Sequence, residues 1–324
     1  MAASGCERAG ERLAYRFAHQ WQSPYGREHT LIGRFVTPSD GRFVDQAAVI
    51  KRLAAARYVL LGETHDNPDH HILQARLIGA LVEAGRRPAI VFEMIAPSQA
   101  DALERHLRAQ PNDAAGLGSA LGWAEAGWPP WSLYQPIADV ALDAGLRLAA
   151  GNLDPNTVRA LARGQPADRA LIDRLGLDAP LPPALQASLE REIGQAHCGY
   201  VEGEALGAMA LGQRARDAAM ARAMIDAATP DGAVLIAGSG HCRDDRGVPY
   251  HLRRFEPDAL SVSLALIEVT AGKDQPADYA ASFDGAMLPF DLVCFTARID
   301  TRDACERFKE QLEKMKAKGA SSGD

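Results

Sequence analysis

No run of eighteen apolar residues occurs in the 324-residue chain, so no segment can cross a bilayer as a helix. The amino terminus also lacks a charged stretch followed by an apolar one, the pattern of an export signal. Cysteine is scarce. Its five residues form no CxxC pair and are odd in number, which argues against a zinc ribbon or a disulfide framework. Basic excess is missing too: 35 Lys and Arg face 42 Asp and Glu, a net charge of -7, with an isoelectric point near 5.7. That balance removes the electrostatic footprint of a nucleic-acid partner. No GxSxG elbow follows an apolar run and no HExxH helix is present, so neither common hydrolase signature applies. Internal repeats and low-complexity segments are absent as well.

What the chain does have is 47% hydrophobic residues, enough to bury a sizeable core. These residues fall into strand-like runs separated by helix-like stripes. Residues 1–44 read as an irregular N-terminal extension with one short hairpin. Asp45 caps a helix to Arg57 with Ala48, Val49, Leu53 and Ala56 along one stripe. Tyr58 to Leu61 is a buried strand, Pro68 opens a helix closed by Gly85, and Ala89 to Phe92 is a second strand. A strand, a helix and a strand in so short a span make a parallel βαβ unit. Further strands are expected at 146–151, 233–237, 260–269 and 292–298. A broken helix is expected over 100–121, a loop over Trp123 to Pro136, a short helix over 136–144, helices over 183–197 and 202–228, and a charged helix over 303–318. The pattern is α/β: one domain over 45–300 with a mostly parallel central sheet, helices on both faces, and a helical cap from 95–135 and 155–230. Residues 301–324 form a C-terminal helix and tail.

Four expected strands end in chemistry. Tyr58 to Leu61 runs into Gly62-Glu63-Thr64-His65, and residues two apart on a strand point the same way, so Glu63 and His65 leave it side by side. The other ends carry Glu93, Asn152, and Gly238-Ser239-Gly240-His241. In an open parallel sheet the carboxyl ends share one edge, and ligands bind in the crevice beyond it. Gly238 and Gly240 allow close backbone approach, and the helix after Gly247 offers N–H groups to an anion. Buried carboxylates need a partner or a coordinated ligand, so these strand ends mark a genuine site, and the Glu63–His65 pair can bind a metal, move a proton or hold a polar ligand. His197 ends a helix beside Tyr200. Arg216 and Asp217 read as a solvated pair, His70 and His71 as surface residues, and Met209, Met220 and Met224 as core packing.

Six motifs occur in order: Leu61-Gly62-Glu63-Thr64-His65-Asp66, Phe92-Glu93-Met94, Trp128-Pro129-Pro130-Trp131 with Tyr134 and Pro136, His197-Cys198-Gly199, Gln213 to Ala221, and Gly238-Ser239-Gly240-His241. Over about residues 50–255 the chain thereby resembles the ChaN-like family of cofactor-haem-binding proteins, often iron-regulated bacterial lipoproteins. That family is similar to a wider superfamily containing erythromycin esterases and Tiki-type metalloproteases, which implies that Glu63, His65, Glu93 and His241 form a polar or divalent-metal pocket. The resemblance implies haem binding for haem or iron acquisition, with tyrosine or histidine as the type of iron ligand and a homodimer around the cofactor. Tyr200, His197, Tyr134 and His241 are the candidate haem-binding residues, with Asn152, Gly238, Gly240 and Arg216 in support. The rival implied by the wider superfamily is a metal-dependent hydrolase in which Glu63 or Glu93 is the general base and His65, His197 and His241 bind metal or orient it.

Ala3-Ser4-Gly5-Cys6 looks like the end of a lipoprotein cleavage site, without the apolar segment that should precede it. The resemblance implies a bacterial envelope lipoprotein anchored through Cys6. If the N-terminus is complete as given, the expectation is a cytoplasmic protein.

Overall fold

A computed structural model of the chain describes residues 20–165, 168–303, 305–306, 309–310 and 313. Cys6, its neighbours through residue 19, and most of the expected C-terminal helix and tail lie outside the described residues. The fold is α/β. Eight strands form one sheet: β1 (Phe35–Thr37), β2 (Arg42–Val44), β3 (Tyr58–Glu63), β4 (Ala89–Phe92), β5 (Leu148–Ala150), β6 (Ala233–Gly238), β7 (Ser261–Glu268) and β8 (Leu292–Thr296). Their order is β2-β1-β8-β7-β3-β6-β4-β5, with β8 through β5 parallel and the hairpin β1-β2 added antiparallel at one edge.

The helices are α1 (Gln46–Ala55), α2 (Pro68–Glu83), α3 (Ala100–Ala109), α4 (Ala114–Ala120), α5 (Trp131–Asp143), α6 (Pro155–Ala162), α7 (Arg169–Leu175), α8 (Pro183–Ala196), α9 (Glu204–Ala227) and α10 (Val248–Phe255). They cover both faces of the sheet, which is why β3 and β6 read as continuous apolar runs rather than alternating ones. Along β3, Val59 and Leu61 join the cluster under α1, α2 and α5. Tyr58 and Leu60 point to the opposite face and join the cluster under α9 and α10. Asp45 caps α1 by accepting from the Ala48 N–H at 2.7 Å. Asn67 caps α2, with Pro68 in the first turn where its missing N–H has no cost.

Three sequence expectations need correction. The stretch from Trp123 to Pro136 is not a loop, because α5 begins at Trp131 directly after Pro129-Pro130 and takes Pro136 into its interior. Trp131 and Tyr134 then turn inward, where both pack against Trp123. The N-terminus of α10 is not an open anion site, since the Val248 N–H donates to the His241 carbonyl at 2.8 Å. And the cysteines do not stay apart: Cys198 and Cys305 form a disulfide across 107 residues, leaving Cys242 and Cys294 as buried thiols. No local spacing could announce so distant a pair. The helix expected as cap, α9, does two jobs. Its first turns pack against α8, Gln213 and Asp217 near its middle reach His241 beyond the end of β6, and Met220, Ala221, Met224 and Ala227 pack on the sheet.

The turn into β6 tolerates no side chain at Gly232, which has φ +82° and would place a Cβ 1.7 Å from the Arg57 carbonyl oxygen. Gly232→Ala is expected to destabilise the fold by about 2–4 kcal/mol, read as a lower urea midpoint. An unchanged midpoint would mean that the turn does not press on the end of α1.

Candidate functional site

Strand order builds the site. β6 lies between β3 and β4, so the ends of three neighbouring strands bring Glu63, Glu93 and the turn 238–241 together. Glu63 is the hub. Its Oε1 lies 2.9 Å from His65 Nδ1 and its Oε2 3.0 Å from His71 Nδ1. The Tyr134 hydroxyl donates to the same Oε1 at 3.2 Å. His65 Nε2 is 3.9 Å from Glu93 Oε2, and Glu93 Oε1 is 3.1 Å from His241 Nε2. His241 Nδ1 meets Asp217 Oδ1 at 2.5 Å. Three carboxylates and three imidazoles thus alternate in one chain: Asp217, His241, Glu93, His65, Glu63, His71. Only His65 shows substantial exposure, with 33% of its side chain accessible, and Trp128 meets its ring edge-on.

Alternation decides the protonation. Burial pushes the Glu63 carboxyl up, but His71 and His65 outweigh it and hold the group well below the usual carboxylate range. Burial likewise raises Glu93, while His241, His65 and the Gly238 N–H, at 2.8 Å from Oε2, bring it down to about 2. The imidazoles respond oppositely. Burial lowers His241, yet Glu93 and Asp217 raise it to about 10. Burial also lowers His65 and His71, and their carboxylate partners again prevail, so both end above the ordinary value. Burial pushes the Asp217 carboxyl up against the opposing pull of His241. The Tyr134 phenol is driven far up by burial and by the Glu63 charge, so it remains a neutral donor.

The supporting residues hold this chain in place. Asn152 Nδ2 donates to the Glu93 carbonyl at 3.0 Å and so fixes the end of β4 without entering the site. A Cβ on Gly238 would sit 3.1 Å from His65 Nε2, and one on Gly240 3.2 Å from Glu192 Oε1. Arg216 donates to Gln213 Oε1 at 2.6 Å, and Gln213 Nε2 lies 3.1 Å from His241 Nδ1. The expected solvated pair of Arg216 and Asp217 is therefore wrong: Asp217 is buried and belongs to His241. His70 and His71 are fully buried rather than on the surface. His70 accepts from the Thr64 N–H at 2.8 Å and is pushed down to about 3 by burial and then by His71, so it stays neutral. The signal for His71 was available in principle, because a helix starting at Pro68 returns its first turn over the strand end it has just left.

The four expected metal ligands do meet, but as carboxylate–imidazole pairs. Among the described residues no group of three or more His, Cys, Asp and Glu side chains is placed to hold a metal ion. The expected haem residues divide. Tyr134 and His241 are locked into the buried chain. His197 and Tyr200 lie outside it in the turn after α8, where Tyr200 is 58% exposed. Consecutive left-handed residues, Cys198 at φ +55° and Gly199 at φ +73°, fold that turn back, and the Tyr200 N–H donates to the His197 carbonyl at 2.9 Å.

A family model described as haem-binding uptake, Tiki superfamily, ChaN matches residues 49–252. The chain belongs to this family. Among solved structures, a ChaN protein of Campylobacter jejuni with cofacially bound haem is 20% identical, over 80% of this chain and 95% of its own, with a TM-score of 0.62. ChaN therefore shares the fold described above. A mutant of the erythromycin esterase EreC in its open conformation is 19% identical over 73% of this chain and 78% of its own, with a TM-score of 0.41. Among curated proteins no sequence matches.

The buried chain makes stability depend on pH in a defined sense. His241 goes from an ordinary 6.5 to about 10 on folding, so its contribution is complete below about 6.5 and is lost as pH rises towards about 10. Glu93 goes from 4.5 to about 2, so its contribution is complete above about 4.5 and is lost as pH falls towards about 2. Urea unfolding between pH 3 and 10 should show greatest stability at mildly acidic pH, with a smaller alkaline decline in His241→Asn. An alkaline limb of equal size in that variant would contradict the assignment.

Proposed function

We propose that this chain binds haem in haem or iron uptake, holding the iron through Tyr200 with His197 beside it. Membership of the haem-binding family is the starting point. The observation that carries the ligand choice is the contrast between the two tyrosines. An iron-bound tyrosinate must lose its proton and reach a flat macrocycle. Tyr134 does neither, being enclosed and facing Glu63. Tyr200 stands exposed on a turn that the Cys198–Cys305 disulfide ties down. His197 Nδ1 donates to the Ile193 carbonyl at 2.7 Å, so a bond from His197 to iron would come from Nε2, with the backbone orienting the ring as in metal-ligating histidines.

A tyrosine on a protruding turn covers one face of a macrocycle, and a second copy of the chain would cover the other. The cofacial arrangement named for the Campylobacter jejuni ChaN supports a homodimer assembled on haem. The disulfide supports an oxidising compartment, which suits the bacterial envelope, with Cys6 as the acylated anchor. Mass spectrometry of the native protein checks the anchor: an acyl chain on Cys6 is expected, and an unmodified Cys6 thiol would remove it.

Haemin titration tests the main reading. A saturable Soret band is expected, with Tyr200→Phe shifting it and weakening binding at least about tenfold, the effect of roughly 1.4 kcal/mol. Tyr134→Phe should leave the band alone. A spectrum that responds to Tyr134→Phe and ignores Tyr200→Phe would overturn the ligand assignment.

The buried chain favours a second reading at a different place. Glu63 and His65 form an oriented base at the mouth of the strand edges, the arrangement of an esterase-type hydrolase. Hydrolysis of aryl esters that His65→Gln abolishes, with haemin binding intact, would support it. Rates equal to buffer would remove it.

A further inference from the structure

The far edge of the sheet holds a cleft that neither haem binding nor the buried chain uses. It is about 630 Å3 in volume, within the range of ligand pockets. Its floor is residues 146–150, the whole of β5 and its approach. One wall is α3, through Leu103 and Leu107. The other is α7 and α9, through Leu171, Leu175 and Ala223. The two walls belong to helices on opposite faces of the sheet. Both line the cleft together with the edge strand.

The edge itself is unpaired. β5 is last in the strand order and, among the described residues, pairs only with β4. The Ile90 N–H donates to the Arg147 carbonyl and the Gly151 N–H to the Phe92 carbonyl. That parallel register turns the N–H and C=O of Ala149 towards β4 and those of Leu148 and Ala150 towards the cleft. Among the described residues nothing bonds these four groups. They line an apolar slot, where backbone polar groups are normally paired. The mouth is charged. Four arginines face two carboxylates, Glu104 and Asp226: Arg174 is tied to Asp226 and Arg222 lies over Phe255, while Arg108 and Arg147 form no ion pair among the described residues, so the lining keeps an excess of positive charge.

We propose that this slot receives one more strand, an extended peptide from a protein partner, apolar on both faces and acidic at its ends. Its backbone pairs with Leu148 and Ala150. Its side chains fill the space under α3 on one side and under α7 and α9 on the other, and its acidic ends meet Arg108 and Arg147. Backbone pairing supplies affinity and the two apolar walls select the side chains, as in other cases of strand addition.

The test uses the full chain and a blocked pentapeptide, Glu-Val-Leu-Val-Glu, with haemin binding and far-UV circular dichroism as folding controls. Saturable binding is expected, with the Leu148 and Ala150 amides gaining protection from hydrogen exchange. Ala223→Trp fills the slot and should abolish binding without changing the haemin spectrum. Reversing both charges, Arg108→Glu with Arg147→Glu, should weaken this peptide about tenfold and favour the Lys-Val-Leu-Val-Lys analogue. No binding, binding untouched by Ala223→Trp, or binding without protection at Leu148 and Ala150 would each overturn the proposal. Because haemin is read separately in the same variants, failure here and failure of the haem reading are distinguishable.

Discussion

A carboxylate with almost no access to water, Glu63, sets the terms for the rest of the site. Its isolated charge would be intolerable at the end of a buried strand. Two imidazoles and a phenol from β3's own exit, from α2 and from α5 surround it, and each of those groups in turn needs a placed neighbour. The alternation runs through Glu93 and His241 to Asp217 on α9. Removing one member leaves the next as an uncompensated buried charge, which typically costs about 3–5 kcal/mol. That cost makes the network a single unit and explains why residues on or beside six separate elements hold so tight a geometry.

The sheet makes this economical in chain length. β6 is inserted between β3 and β4, so the strand whose turn brings His241 arrives between the two strands that end in glutamate. Gly238 lets His65 lie close and donates its own N–H to Glu93. α9 then bridges the layers. Its alanines and methionines settle on the sheet, while Gln213 and Asp217, one turn apart, lean over the strand ends.

Local physics made the strand ends legible. An apolar run that reaches a glycine and continues in Glu63 and His65 puts the two residues at one strand end; β3 itself stops at Glu63, and it is the turn after it that brings His65 back onto the carboxylate. The βαβ unit and the caps at Asp45 and Asn67 rest on equally short-range rules. What stayed hidden depended on distance or on uniformity. His71 carries no local sign of burial, because its partner Glu63 comes from the preceding strand. Asp217 is hard to place because α9 is rich in small residues all round and shows no polar face. The aromatic, proline-rich context of Tyr134 suggests a haem ligand, while its place in the structure follows from Trp123, His71 and Glu63 converging from three segments.

The Cys198–Cys305 bond closes a ring of chain that contains α9, β6, β7 and β8, which is to say half of the parallel strands and the helix lying across them. Within that ring a protease can cut a surface turn and release nothing, since both fragments stay covalently joined and each keeps its place in the sheet. Outside an oxidising compartment the same cut would divide the molecule. The ring also contains the 199–203 turn, so Tyr200 stays attached to both halves of the molecule whichever exposed loop beyond it is nicked. Durability in a protease-rich setting is therefore built into the topology, independently of how firmly any one contact holds.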